Sequence, residues 1–167
     1  MKSEQQTTPL PTAVSGLLVG WHCPIALPVQ WGEMDAAQHV NNTVYYRYFE
    51  SARVAVLTAL AAEGLVMDGF GPQGGASGSL RLGVIMSGSS CRFKLPLTYP
   101  DTAWAASRLK ADSLQEFGFD VEHVVVSERH GRVAAQGIAN LIIYDYTTLR
   151  KAPLPEAWRA QLLTLLS

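Results

Sequence analysis

The segment Thr43–Ala62 contains neither glycine nor proline, and apolar side chains cover most of its helical girth. Tyr45, Tyr48, Phe49, Ala52, Val56 and Leu60 recur at spacings of three and four, which aligns them in one stripe of an α-helix. Val44, Val54, Ala55 and Leu57 widen that stripe beyond the width a one-sided surface helix carries. A helix of this kind has to be surrounded by protein. Asn41 or Asn42 can cap its start, and Gly64 is placed to end it.

The flanking segments say what surrounds it. Upstream, Ile25, Leu27, Val29 and Trp31 share one face of a first strand. Pro28 cannot donate to a ladder, so it points to an edge position or a bulge. Downstream, four segments alternate apolar and polar residues with the period of a half-buried strand. In Gly83–Leu95, Ile85, Cys91, Phe93 and Leu95 oppose Arg92 and Lys94. In Thr102–Asp112, Ala103, Ala105, Leu109 and Ala111 oppose Arg108 and Lys110. In Phe117–Glu128, Phe117, Phe119, Val121 and Val125 oppose Asp120 and Glu122, with His123 on the apolar parity as a core histidine with a bonded ring nitrogen. In Arg132–Tyr144, Val133, Ala135, Ala139, Leu141 and Ile143 oppose Arg132, Gln136 and Asn140, and His130-Gly131 supplies the hairpin turn before them. Pro155 opens a short C-terminal helix carrying Trp158, Leu162 and Leu165. One strand, a long apolar helix and four strands without helical crossovers predict the α+β class, a curved antiparallel sheet around a central helix. Ala103, Ala105 and Gly137 leave room on its inner face.

At 167 residues the chain has the size of one domain, and its 48% hydrophobic content suits a buried core that needs no disulfide or metal. Residues 1–22 read as a flexible arm, being polar at first and interrupted by Pro9 and Pro11, and residues 23–167 as the domain. Thirteen basic against fourteen acidic residues leave no electrostatic footprint for nucleic acid or an anionic membrane. No run reaches the roughly 18 apolar residues of a membrane span. No Lys/Arg cluster precedes the short apolar stretch Val14–Trp21, so no signal peptide is expected, and the two cysteines suit a reducing cytoplasm.

Few chemical motifs stand out. Gly69-Phe-Gly71-Pro-Gln-Gly74 spells GxGxxG, but a helix precedes it, Pro72 interrupts it and more loop follows, so it reads as a loop rather than a dinucleotide cradle. The four histidines do not pair with the two cysteines at metal-ligand spacing, and neither a metal nor a redox cofactor is expected. The unusual stretch is Trp31-Gly-Glu-Met-Asp35-Ala-Ala-Gln38-His39-Val-Asn41-Asn42, which joins the first strand to the long helix. Unpaired N–H groups at a helix start, with the positive end of its dipole, would stabilise the oxyanion of a reacting carbonyl. Asp35 could serve that carbonyl as nucleophile or general base. As plain structure, Asp35 would form a turn and Asn41 and Asn42 would cap the helix.

The run Val29–Arg53, with Asp35, His39-Val-Asn41-Asn42-x-x-Tyr45 and Glu50-x-x-Arg53, resembles the start of hotdog-fold acyl-CoA thioesterases of the 4-hydroxybenzoyl-CoA thioesterase type. The likeness continues through Phe93–Asp101, Phe117–Val126, Gly131–Ala139 and Asp145–Pro155, so it spans roughly Ile25 to Ala160. The resemblance implies the hotdog fold, thioester hydrolysis with Asp35 as the acidic catalytic residue, and an oxyanion-binding N–H about Asn42. It places His39 and Asn41 beside the substrate and the site at the interface of a homodimer or a dimer of dimers. Two departures stand out. Gln38 occupies a position where many members have glycine, and Leu114-Gln-Glu-Phe117 lacks the basic residues with which one branch holds the CoA phosphates. Either Arg92, Lys94, Arg108 or Lys110 takes over that task, or the acyl carrier is an acyl-carrier protein. A third reading is a binding module that keeps the fold without turnover. Glu50 and Arg53 are expected to form a structural ion pair, and Tyr45, Tyr46 and Tyr48 would line an acyl pocket or simply pack.

Overall fold

A computed structural model describes residues 9–62 and 82–166. In chain order it contains α1 (Thr12–Ser15), β1 (His22–Pro28), a 3-10 turn (Trp31–Glu33), α2 (Asn42–Ala62), β2 (Leu82–Phe93), β3 (Thr102–Leu109), β4 (Gly118–Ser127), β5 (Arg132–Asp145), β6 (Arg150–Lys151), α3 (Glu156–Leu163) and a second 3-10 turn (Thr164–Leu166). The strands form one antiparallel sheet in the order β1-β3-β4-β5-β2, with β6 added to β5. Pro28 therefore lies on an edge strand, where its missing N–H leaves no gap in the ladder. Gly64 and the Gly69–Gly78 loop lie outside the described residues.

The curved sheet wraps α2, and this is the hotdog arrangement of a half-barrel around a long helix. Val44, Tyr45, Tyr48, Phe49, Ala52, Val56, Leu57 and Leu60 are all buried against its inner face. The helix packs on β1, β3 and β4. It is not enclosed all round, as its sequence suggests: Tyr46 and Val54 stay 39% and 40% exposed on the side away from those strands. Trp158 and Leu162 of α3 and Leu165 after it close the end of the core that holds Val56, Leu57 and Leu60.

Three expectations need correction, two of them because a strand gains a residue. β2 has a bulge between Met86 and Gly88, which reverses its parity. Val84 packs inward before the bulge and Cys91 after it, so Ile85 does not share the face of Cys91. A second irregularity, at Val125/Val126, puts Val133 on the outer face instead of the inner one. Trp31 leaves the first strand altogether and sits, 74% exposed, in the 3-10 turn.

The expected arm is also structured where it is described. Val14 and Leu18 pack on Trp104, Ala106, Val124 and Val126, the outward side chains of β3 and β4, and His22 already begins β1. That cover explains why Ala103–Ala106 are buried without alternation. No helix among the described residues is long and apolar enough to cross a membrane.

Candidate active site

The connection between β1 and α2 is held by its own acids. The Gln30 N–H donates to Glu33 Oε2 at 3.0 Å, and the Glu33 N–H returns to the Gln30 carbonyl at 3.0 Å. The same Glu33 oxygen accepts the Tyr48 hydroxyl at 2.7 Å, and Arg47 pairs with its other oxygen at 3.5 Å. Glu33 thereby ties the loop to the first turns of α2. Burial, reinforced by the bond to Glu33, pushes the Tyr48 phenol well above its ordinary pKa.

Beyond Glu33 the chain makes a tight loop closed by a bridge between Met34 and Val40. The Asp35 N–H donates to the His39 carbonyl and the Gln38 N–H to the Asp35 carbonyl, both at 2.9 Å. Gln38 takes a φ of +61° to complete the loop, the left-handed region that glycine enters most easily. One carboxylate oxygen of Asp35, Oδ1, accepts the Ala37 N–H at 2.8 Å. Among the described residues, Oδ2 has no hydrogen-bond partner. Asp35 is thus a turn former with one oxygen to spare.

Asn41 caps the helix, its Oδ1 accepting the Thr43 N–H at 3.0 Å and the Thr43 hydroxyl at 2.7 Å. The next N–H, that of Asn42, has no partner among the described residues and belongs to the positive end of the helix. On the facing side, the Tyr45 hydroxyl accepts the Leu97 N–H at 3.1 Å and donates to the Leu95 carbonyl at 3.3 Å. This fixes the chain after β2 against α2. Between the two sides opens a pocket of about 410 Å³, lined by Asp35, His39, Asn42 and Tyr45, with Phe93 and Lys94 from the end of β2 opposite.

The structure therefore brings Asp35, His39 and Asn42 together around one pocket and leaves Asn41 outside its lining, its side-chain oxygen engaged as the cap. Of the tyrosines, Tyr45 lines the pocket, Tyr48 anchors Glu33 and Tyr46 lies exposed. Among the described residues no ion pair joins Glu50 to Arg53; burial lowers the Arg53 pKa and the charge of Glu50 partly offsets this. His123 is the core histidine its parity suggests. Its Nδ1 lies 2.8 Å from the Ser107 hydroxyl, its ring stacks on Phe49 at 5.1 Å, and burial, helped by the Arg53 charge, pulls its pKa down to about 3. Arg108 is taken up by Glu122 at 2.7 Å and Lys110 by Asp120 at 3.3 Å. No three His, Cys, Asp or Glu side chains among the described residues cluster as a metal site requires.

Sequence reasoning passed over Glu33 as a site residue, although the Gln30-x-x-Glu33 spacing was a signal for it. Of the four basic residues it offered for the CoA phosphates, Lys94 lines this pocket and Arg92, Arg108 and Lys110 do not.

The fold has known counterparts. A solved thioesterase from Thermus thermophilus, complexed with coenzyme A and zinc, matches with a TM-score of 0.66 at 24% identity over 87% of this chain and 95% of its own. The gentisyl-coenzyme A thioesterase BH1999 matches with a TM-score of 0.66 at 24% identity over 84% of this chain and 99% of its own. The PA2801 protein of Pseudomonas aeruginosa matches with a TM-score of 0.65 at 25% identity, covering 82% of this chain and 95% of that one. No protein of curated function matches by sequence. The family model of the thioesterase-like superfamily matches residues 29–162, from the end of β1 to α3 and including the whole pocket, so the chain belongs to that superfamily and is a thioester hydrolase.

Proposed function

We propose that the chain hydrolyses acyl-CoA thioesters in the pocket between Asp35 and Asn42. The observation that carries this reading is the pairing of a carboxylate oxygen and a backbone N–H, both without partners among the described residues, on the wall of one pocket. The thioester carbonyl oxygen receives the Asn42 N–H, at the positive end of α2, which stabilises the negative charge that develops there. Asp35 then acts by one of two routes. As general base it takes a proton from water, whose oxygen attacks the carbonyl carbon while the C–S bond breaks and the thiolate leaves. As nucleophile it attacks the carbon itself, expels the thiolate and forms a mixed anhydride that water hydrolyses. The bond from the Ala37 N–H orients the carboxylate in either case.

The remaining residues take supporting parts. His39 lies on the pocket wall beside the substrate, and Asn41 serves through the cap that fixes the Asn42 N–H. Lys94 on that wall, with exposed Arg92 two residues before it, is the cationic side toward which the CoA phosphates would extend. Arg108 and Lys110 are already paired with Glu122 and Asp120, which leaves Lys94 and Arg92 for the phosphates. The outer edge of β2 has no partner strand among the described residues and runs to Phe93 at the pocket. We read it as the seam of a homodimer, checked by sedimentation, because an open edge of that length invites pairing.

The test is Asp35→Asn. Asparagine keeps an oxygen for the Ala37 N–H, so folding should be unchanged, while the basic and nucleophilic oxygen is lost. The kcat on a hydrolysed acyl-CoA should fall at least about a hundredfold. Near-normal turnover would remove Asp35 from the mechanism. A single turnover in isotopically labelled water separates the routes, since only the anhydride route puts solvent oxygen into the protein.

A further inference from the structure

Asp35 belongs to two pockets. Besides the one it shares with Asn42, it forms part of the wall of a second, of about 660 Å³, which is lined by Trp31, Gly32, Met34, Gln38, Thr98 and Tyr99. Trp31 and Tyr99 stand on this wall with 74% and 50% of their surface open. A single exposed aromatic needs no explanation, but two on one concavity beside a reactive carboxylate mark a binding surface. Both walls are built. Trp31 sits in the 3-10 turn that Gln30 and Glu33 close, and the Tyr99 N–H donates to Met34 Sδ at 3.5 Å, joining the two loops. The elements that orient Asp35 therefore also fix these rings.

The two pockets differ in charge. The first includes Lys94, whereas the second has no Lys, Arg or His among the described residues of its lining and carries the negative charge of Asp35. A thioester lying across Asp35 has a polyanionic carrier on one arm and an acyl group on the other. Charge complementarity sends the carrier toward Lys94 and the acyl group toward Trp31.

We infer that Trp31 and Tyr99 bind the acyl group of the substrate and select an uncharged, apolar one. This assignment rests on the reading of Asp35 as the residue over which the thioester lies. Trp31 and Tyr99 supply flat apolar surface, which rewards each methylene or ring placed against it. An acyl chain ending in its own carboxylate would meet Asp35 with no cation in the pocket to offset it.

The experiment uses acyl-CoA thioethers, which cannot be hydrolysed, with acyl chains of increasing length and one carrying a terminal carboxylate. Their binding is titrated calorimetrically into the wild type, Trp31→Ala, Tyr99→Ala, the double variant and Gly32→Phe. Gly32 lines this pocket and has open space where its Cβ would stand, so a bulky side chain there is expected to fill the pocket with no clash at its Cβ. It keeps the test decisive if the alanine variants loosen the turn. In the wild type each added methylene should tighten binding by about fourfold, and by less than about twofold in the double variant and in Gly32→Phe. Unsubstituted CoA should bind all of them alike, and the carboxylated analogue should bind the wild type at least about tenfold more weakly than its uncharged counterpart. The inference is overturned if the wild type shows no length dependence, if the increments survive the substitutions, or if CoA itself loses affinity, which would place the carrier in this pocket. Binding needs no turnover, so failure of Asp35 as base or nucleophile would show separately, as undiminished kcat in Asp35→Asn.

Discussion

Phe49 and Gly137 meet so closely that a Cβ on the glycine would stand 2.4 Å from Cε2 of the ring and 2.6 Å from the Ser90 carbonyl oxygen. This contact lets α2 settle into the sheet, with the Phe49 ring between Gly137 on β5 and His123 on β4. Gly137→Ala should cost about 1–3 kcal/mol in urea-monitored unfolding, the range for overpacking a full core. Phe49→Leu in the same chain should recover only part of that loss, because the clash with the Ser90 carbonyl remains. An alanine variant as stable as the wild type would mean that the helix sits further from the sheet.

His123 makes stability depend on pH. Its folded pKa is about 3 against an ordinary 6.5, so below that ordinary value the unfolded chain binds a proton that the folded chain refuses. The stability associated with neutral His123 is complete above about pH 6.5 and declines as pH falls toward the folded pKa, at up to about 1.4 kcal/mol per unit. His123→Asn offers an oxygen near the position of Nδ1 to the Ser107 hydroxyl but does not titrate. Urea midpoints between pH 7 and about pH 4 should fall less steeply for this variant than for the wild type. Parallel slopes would assign the acid sensitivity to other groups.

Gln38 holds a left-handed backbone at φ +61° that costs a non-glycine residue about 1–2 kcal/mol. Gln38→Gly removes that strain and adds about 0.4–1 kcal/mol of unfolded-state entropy loss, so the variant should be neutral to slightly more stable. Gln38→Val should lose stability, since a β-branched residue is least at home there. Melting temperatures of the two variants give the order directly. Valine melting at or above glycine would show that the loop has another shape.

Helix and strands were legible because their periods are set by burial on one face, and the residues of the Tyr45–Leu60 stripe are all buried. A period breaks wherever a residue is inserted, and alternation carries no mark of the insertion. Ile85 and Val133 were assigned to the wrong face for that reason. Val14 and Leu18 cover Trp104, Ala106, Val124 and Val126 on the outer face, and nothing local in the chain marks that contact. At the site, the junction and the family resemblance single out Asp35, His39, Asn41 and Asn42, while hydrogen bonding decides the division of labour. Asn41 and Asn42 are the same residue type, yet one is the cap and the other presents the open N–H. Nothing in the sequence joins the walls of the second pocket, because alternation assigns Trp31 to the first strand and Tyr99 is far from it in the chain.

Three bonds converge on the Glu33 side chain, two residues before Asp35. Glu33→Ala leaves the buried Tyr48 hydroxyl without its acceptor, a loss of about 1–3 kcal/mol. It also frees the Gln30 turn, so the Asp35 carboxylate is held less closely over the carbonyl. Small misplacements of a catalytic group cost up to about a hundredfold in rate, and kcat should fall roughly tenfold with little change in CoA affinity. Glu33→Gln keeps an oxygen for both the Tyr48 hydroxyl and the Gln30 N–H and loses only the long pair with solvent-exposed Arg47, worth about 1 kcal/mol. It should restore most of the rate. Tyr48→Phe removes the same bond from the other end, so combining it with Glu33→Ala should cost less than the sum of the two single changes. If Glu33→Ala turns over at the wild-type rate while its melting temperature drops, Glu33 supports the fold alone, and the position of Asp35 is fixed by the Ala37 and His39 bonds of its own loop.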